Sequence, residues 1–436
     1  MPKCLHFFCA VIVLFAVMLS AHAQFPNVKD YGAVGDGQTD DTAAFQKALD
    51  AAADSETQTV FAPRGNYRFN SSLNVPQGVT LKGVWESVPA HNGIRDKGLP
   101  QPTDDGTTFL IYGGAKKPED PAFLTLNTNS TLKGVCIYYP EQKEDDIPTE
   151  YPYAVAMRGK NPAILDCELL NPYKGIDASQ NERHLIRNIS GQPLRLGIYV
   201  DAIYDIGRIE NVHFNPWWSL KPTLFRWQME HGEAFVFGRT DWQYVLNTFV
   251  FGYNIGYRFI ETKSGGCNGN FLGIGADDCY TALVVDQCAP MGLLITNGEF
   301  VSFHGPDPTM VRVAKTNRGA VRFSNCAFWG PCRQIAVIDG TASGTVGFTD
   351  CTFVQWGFKE KENQQHDRIP IPAIQVFGGN IVVRGCDFQD PHPKILLGEK
   401  VRKAVITGNI MRDKELIENK AGECPSIVIR DNAADK

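Results

Sequence analysis

A short strand, turn, strand segment recurs down the C-terminal half of the chain, at Leu294–Phe300, Val321–Phe328, Val346–Phe353, Ile381–Phe388 and Val405–Met411. Each copy alternates in polarity, passes through Asn, Asp or Gly, and closes on a large apolar residue. The closing residues stand at 300, 328, 353, 388 and 411, in steps of 28, 25, 35 and 23 residues. A repeat of that length marks a solenoid, in which each coil buries its apolar face only by stacking on the next. Weaker copies at Ile164–Leu169 and Ile209–Phe214 carry the pattern upstream. One elongated domain over residues 24–436 is therefore expected, although the length alone allows several.

The Asn, Asp and Gly residues sit where the chain must bend between strands, and a bend needs left-handed φ or side-chain hydrogen bonds to the backbone. Turn chemistry accounts for them without a catalytic role. Cys167, Cys326, Cys351 and Cys386 follow these bend residues and stand two positions before an apolar residue, as in Asn325-Cys326-Ala327-Phe328. Positions two apart on a strand face the same side, so these thiols are expected inside, stacked and reduced. This departs from the usual reading of cysteines in an exported chain as disulfides.

Export itself is expected from the N-terminus. Lys3 precedes an apolar run from Leu5 to about Leu19, and Ala21-His22-Ala23 supplies small residues for cleavage, so residues 1–23 read as a signal peptide and the protein as secreted or periplasmic. No stretch reaches the roughly 20 apolar residues of a membrane span. The formal charge of −6 becomes −7 without Lys3, the segment's only Lys, Arg, Asp or Glu. Such a surface has no basic footprint for nucleic acid and no general attraction for a polyanion.

An open solenoid end needs a cap. Residues 42–53 place Phe45, Ala48, Leu49 and Ala52 on one helical face, with Asp40 or Asp41 available at the helix start. This segment lies within Asn27-Val-Lys-Asp-Tyr-Gly-Ala-Val-Gly-Asp-Gly-Gln-Thr-Asp-Asp-Thr-Ala-Ala-Phe-Gln-Lys-Ala-Leu49, followed by Val60-Phe-Ala-Pro-Arg-Gly-Asn-Tyr67. The pair resembles the N-terminal signature of the pectate lyase-like superfamily, which includes rhamnogalacturonases, polygalacturonases, β-1,3-glucanases, uronan epimerases and phage tailspikes. The resemblance implies an all-β, right-handed parallel β-helix and a polysaccharide partner, and it leaves the reaction open. The acidic group Asp36, Asp40 and Asp41 within it reads as turn and cap, and no metal ligands are assigned.

Two regions carry candidate chemistry. The insertion at about 214–245 holds Trp217, Trp218, Trp227 and Trp242 beside Glu230, Glu233, Arg239, Asp241 and Tyr244, with Arg258 nearby. Such rings can stack on sugar faces while carboxylates and Arg take hydroxyls or charges. The other interruptions, near 85–122, 139–152, 301–318 and 355–372, are expected as loops walling a groove. The second region is Gly275-Ala-Asp-Asp278-Cys279, which resembles the paired-aspartate motif of polygalacturonases. Only Phe303-His304-Gly305 approximates that family's Gly-His-Gly, and its Arg-Ile-Lys and Asn-Thr-Asp elements are missing, which weakens the transfer of Asp277, Asp278 and His304. Paired carboxylates suit glycoside hydrolysis when both enter one groove, which for adjacent residues requires a bend.

The leading expectation is a secreted glycoside hydrolase acting on plant or algal polysaccharide, pectin-like or β-glucan, without a cofactor. A polysaccharide lyase or uronan epimerase is the alternative, with calcium in the lyase case and Arg or Lys as base. A non-catalytic glycan-binding β-helix is the third class.

Overall fold

The computed structural model describes residues 25–103, 105–340, 343–360, 366–423 and 425–435. The segment expected to be a signal peptide and Cys424 lie outside the described residues. The chain winds into a right-handed parallel β-helix whose coils hydrogen-bond to the next along three sheets. One coil shows the plan. Gln243–Leu246 lies in one sheet, Phe249–Phe251 in a second and Ile255–Phe259 in a third, after which Cys267–Leu272 returns to the first and stacks on Gln243–Leu246.

The bend between the first two sheets is built as the repeats require. Asn297, Asn325 and Asp350 take φ of 55°, 51° and 53°. Their side chains also couple neighbouring coils, since Asn325 Nδ2 donates to Asn297 Oδ1 at 2.8 Å and Asn211 Nδ2 donates to Asn188 Oδ1 at 2.9 Å. Short polar side chains tolerate this backbone region and satisfy each other's amides, which explains their choice over other residues.

Inside, the stacking produces ladders of like side chains. Phe323 and Phe348 lie parallel with centroids 5.0 Å apart, and Phe235 and Tyr257 do the same at 5.0 Å. Burying each such ring contributes roughly 1.5 to 3 kcal/mol, so the ladders supply much of the cohesion between coils. Cys326, Cys351 and Cys386 form a buried column just past the bend, and their thiols donate to the Ile295, Phe323 and Phe348 carbonyls of the preceding coil at 3.7, 3.7 and 3.5 Å. Cys167 is buried as a free thiol too, but in a much earlier coil, so it extends the burial pattern and not this column.

Helix α1, Thr42–Ala53, closes the N-terminal end. Phe45 sits fully buried beneath it, with ring centroids 4.9 Å from Tyr67, 4.9 Å from Phe69 and 5.5 Å from Phe109. The acidic cluster is spent on local hydrogen bonds. Asp36 accepts from the amides of Gln38 and Thr39, Asp40 from the amide of Thr42, and Asp41 from those of Val34 and Gly35.

Candidate active site

The second sheet positions the site. Its outward side chains form a column along the axis: Glu168, Ser190, His213, Phe249, Gly275, Glu299 and Ala327 stand in register, on strands of two or three residues from Phe249 onward. Gly275 interrupts this column. With no side chain there, a slot of about 390 Å³ opens, lined among others by Phe249, Asp277, Asn297, Glu299 and Trp329. Its floor is the backbone at Gly275, its ends are the Phe249 ring and the Glu299 carboxylate, and Asp277 stands at its side. Among the described residues lining it there is no Arg or Lys.

The two adjacent aspartates diverge because the strand ends between them. Asp277 closes the strand Gly275–Asp277 and faces outward, while Asp278 takes φ 52° and begins the bend. Asp278 is buried and hydrogen-bonds His304 Nδ1. Burial pushes the Asp277 carboxyl above its ordinary range, and the charges of Asp278 and Glu299 push in the same direction. Burial also raises Asp278, with His304 opposing it. Glu299 accepts a hydrogen bond from the Trp329 indole N–H at 2.6 Å, a short charge-assisted contact that fixes its direction. Trp329, 41% exposed, therefore both orients a carboxylate and presents a ring to the slot. An aromatic ledge continues beyond Phe249, with His213 edge-on to it at 5.0 Å and to Trp217 at 5.2 Å.

The residues expected from the insertion are distributed over different faces. Helix α2 of the insertion, Pro222–His231, carries Glu230 exposed and Trp227 half-buried against Tyr173 and His231. Trp218 is fully buried in a satellite core with Tyr138, Leu170 and Leu224, so it anchors the insertion and cannot meet a sugar. Glu233 faces out from the third sheet and bridges Arg195 at 3.3 Å and Arg258 at 2.7 Å, with Arg258 also bound to Asp286 at 2.9 Å. Asp241, Trp242 and Tyr244 line a separate depression of about 520 Å³ on the first sheet, floored by Asn270 and Gly269 and walled by Met291 and Leu294. Trp242 is 58% exposed there, whereas Arg239 packs on Tyr204 at 5.5 Å. Asp241 and Asp277 do not share one site: coils near in sequence present these residues from different sheets. The structure does bring Asp278 and His304 together, whereas Asp277 turns the other way into the slot. Glu299 and Trp329 escaped the sequence reading, although Glu299 occupies an outward position of a recognised repeat copy and Trp329 directly follows the next copy.

Residues 25–108 match the family described as rhamnogalacturonase A/epimerase, pectate lyase-like. Mannuronan C5-epimerase AlgE5 of Azotobacter vinelandii is 49% identical over 107 residues, which cover 24% of this chain and 11% of that one. A probable glucan endo-1,3-beta-glucosidase of Arthroderma benhamiae is 40% identical over 96 residues, covering 20% of this chain and 11% of that one. The chain thus spans about a tenth of the length of these curated relatives. Among solved structures, the catalytic unit of a GH87 alpha-1,3-glucanase from Streptomyces thermodiastaticus superposes with TM-score 0.53 at 12% identity, covering 94% of this chain and 70% of that one. The N-terminal fragment of bacteriophage phi29 gene product 12 gives 0.52 at 13% identity, covering 88% and 73%. Coil architecture defines a parallel β-helix, and its N-terminal segment carries the likeness to that family. The family match is confined to residues 25–108, and the likeness to these solved structures is one of fold.

Proposed function

We propose that the protein is an exported glycoside hydrolase for a neutral polysaccharide, with Asp277 as general acid and Glu299 as the second carboxylate. The supporting observation is the slot itself: two carboxylates meet over a glycine floor, and the burial and like charges around one of them favour its protonated form. That pairing is what glycosidic cleavage requires, one group protonating the leaving oxygen and the other attacking the anomeric carbon or activating water there. Phe249 and Trp329 offer faces for sugar rings, and the Asp278–His304 pair positions the bend that holds Asp277.

A uronate lyase or epimerase is supported by the partial likeness to mannuronan epimerases, but its substrate carboxylate would enter a slot lined by two acids and no described cation. Like charges a few ångströms apart in a partly dry site repel, so a neutral sugar is the better occupant. The test is a panel of neutral and uronic-acid polysaccharides read for both reducing ends and ultraviolet absorbance. New reducing ends from a neutral glycan, lost by about 100-fold or more in Asp277→Asn and Glu299→Gln with unchanged melting, support the proposal. Unsaturated uronate products, or full activity in both variants, refute it.

A further inference from the structure

The column that carries the slot holds a second cluster closer to the N-terminus. Cys136 and Glu168 are paired in register on neighbouring strands, and their side chains point outward, away from the main core. A loop inserted after the strand Thr80–Lys82 folds across them and lowers His91 onto the pair. One ligand atom from each of His91, Cys136 and Glu168 lies within 4.8 Å of the others, and the three residues are 5%, 0% and 1% exposed. His91 Nδ1 meets Glu168 Oε2 at 2.5 Å, the His91 amide donates to Glu168 Oε1 at 3.0 Å, and the opposite ring nitrogen lies 3.8 Å from Asp105.

We propose that His91, Cys136 and Glu168 form a structural site for a divalent transition ion of the zinc class, which staples this loop to the face of the β-helix. The donor set argues for it. Nitrogen, sulfur and carboxylate donors converging from three separate segments are the ligands that zinc takes, and a carboxylate on the other imidazole nitrogen, here Asp105, is the usual second partner of a metal-bound histidine. The burial argues for it too. An ionisable pair withdrawn from water costs more than its mutual attraction returns unless it is fully coordinated, and a thiol adds little to a carboxylate and an imidazole unless it ionises on an ion.

The placement gives the ion a purpose. Past His91 the loop forms a short helix, Gly93–Lys97, whose Arg95 donates to the Pro216 carbonyl at 2.8 Å and packs over the Trp217 ring at 5.4 Å. Trp217 is the outer end of the aromatic ledge beside the slot. The staple would therefore fix the ledge from a distance, and the inference stands apart from which bond the slot cleaves.

The experiment uses the purified full chain, dialysed and then given cobalt(II) or zinc(II) in excess, with metal content and absorption spectra read after removal of free ion. One equivalent per chain, a thiolate-to-cobalt charge-transfer band, and a rise in Tm with zinc are expected. Cys136→Ser should lose the band and the Tm rise, and Glu168→Gln should lose the equivalent of metal, while Asp277→Asn keeps all three. A folded wild-type protein that retains less than about a tenth of an equivalent overturns the proposal, as does a band that survives in Cys136→Ser. Should Cys136→Ser not fold, the metal content of Glu168→Gln and the wild-type spectrum decide by themselves.

Discussion

Replacing Gly275 by alanine raises the slot floor by one methyl group. Gly275 is in an ordinary strand conformation, so the new Cβ brings no backbone strain, and its contacts are Phe249 Cδ2 at 3.2 Å, the Glu299 carbonyl oxygen at 3.6 Å and the Thr248 carbonyl oxygen at 3.8 Å. Only the first is tight, and the Phe249 ring borders open slot into which it can give by a few tenths of an ångström. Loss of a glycine's unfolded-state freedom adds about 0.4 to 1 kcal/mol of stability, which offsets that adjustment. Tm should then stay near the wild-type value. A sugar resting on the floor, by contrast, is lifted by roughly 1 Å or more relative to Asp277 and Glu299, and misplacement on that scale costs on the order of 100-fold, or about 2.7 kcal/mol of transition-state stabilisation. Reducing-end release on the best neutral substrate, measured beside a melting curve, gives both quantities. Gly347→Ala is the control: a Cβ there meets nothing within 4 Å, so activity should not move and Tm should hold or rise slightly. Wild-type kcat/KM in Gly275→Ala would show that no sugar rests over this glycine, and the slot would lose its place as the active site.

The alkaline limb of the rate profile should report Asp277, which must be protonated to act, and should lie above the ordinary carboxylate range; because burial and then the Asp278 charge raise Asp277, Asp278→Asn should move that limb to lower pH, and an unmoved limb would refute the assignment. Phe45→Asp should cost more than the 3 to 5 kcal/mol typical of about one buried Phe removed to Ala, since it also strands a charge among Tyr67, Phe69 and Phe109; an unchanged Tm would mean α1 does not close the core. Cys167, Cys326, Cys351 and Cys386 should resist a thiol reagent in native protein and react after denaturation without reductant, and a peptide map placing them in disulfides would contradict their burial as free thiols.

The coil was legible because its physics is local. Asn325, Cys326 and Phe328 each do in three residues what their types suggest: left-handed bend, interior thiol, core ring. The α1 cap was legible for the same reason, since helical spacing of Phe45, Ala48, Leu49 and Ala52 needs no knowledge of the rest of the chain. The site was only half legible. Asp277 and Asp278 announced themselves as a pair, but the partner of Asp277 across the slot is Glu299, brought there by the register of Gly275 with Glu299. That register is a property of stacked coils. Aligning the repeat copies by their closing apolar residue would have exposed it, because the residue before each closing position, Glu299, Ala327, Thr352, Asp387 and Ile410, lies on one outward column. The tryptophan-rich insertion misled for the opposite reason. Composition gives the number of rings and not the side from which they are covered, and Trp218 is covered completely.

In the ladder of the second sheet the backbone serves as a ruler. Asp277 and Glu299 stand on adjacent rungs, and rungs of a parallel sheet are held about 4.8 Å apart by hydrogen bonds that no side chain can lengthen. The gap between the two carboxylates along the axis is thus set by main-chain geometry, while the loops at 139–152 and 301–308 are free to change length and composition. A chain of this design can exchange the walls that choose a polysaccharide without disturbing the spacing of the groups that would cut it.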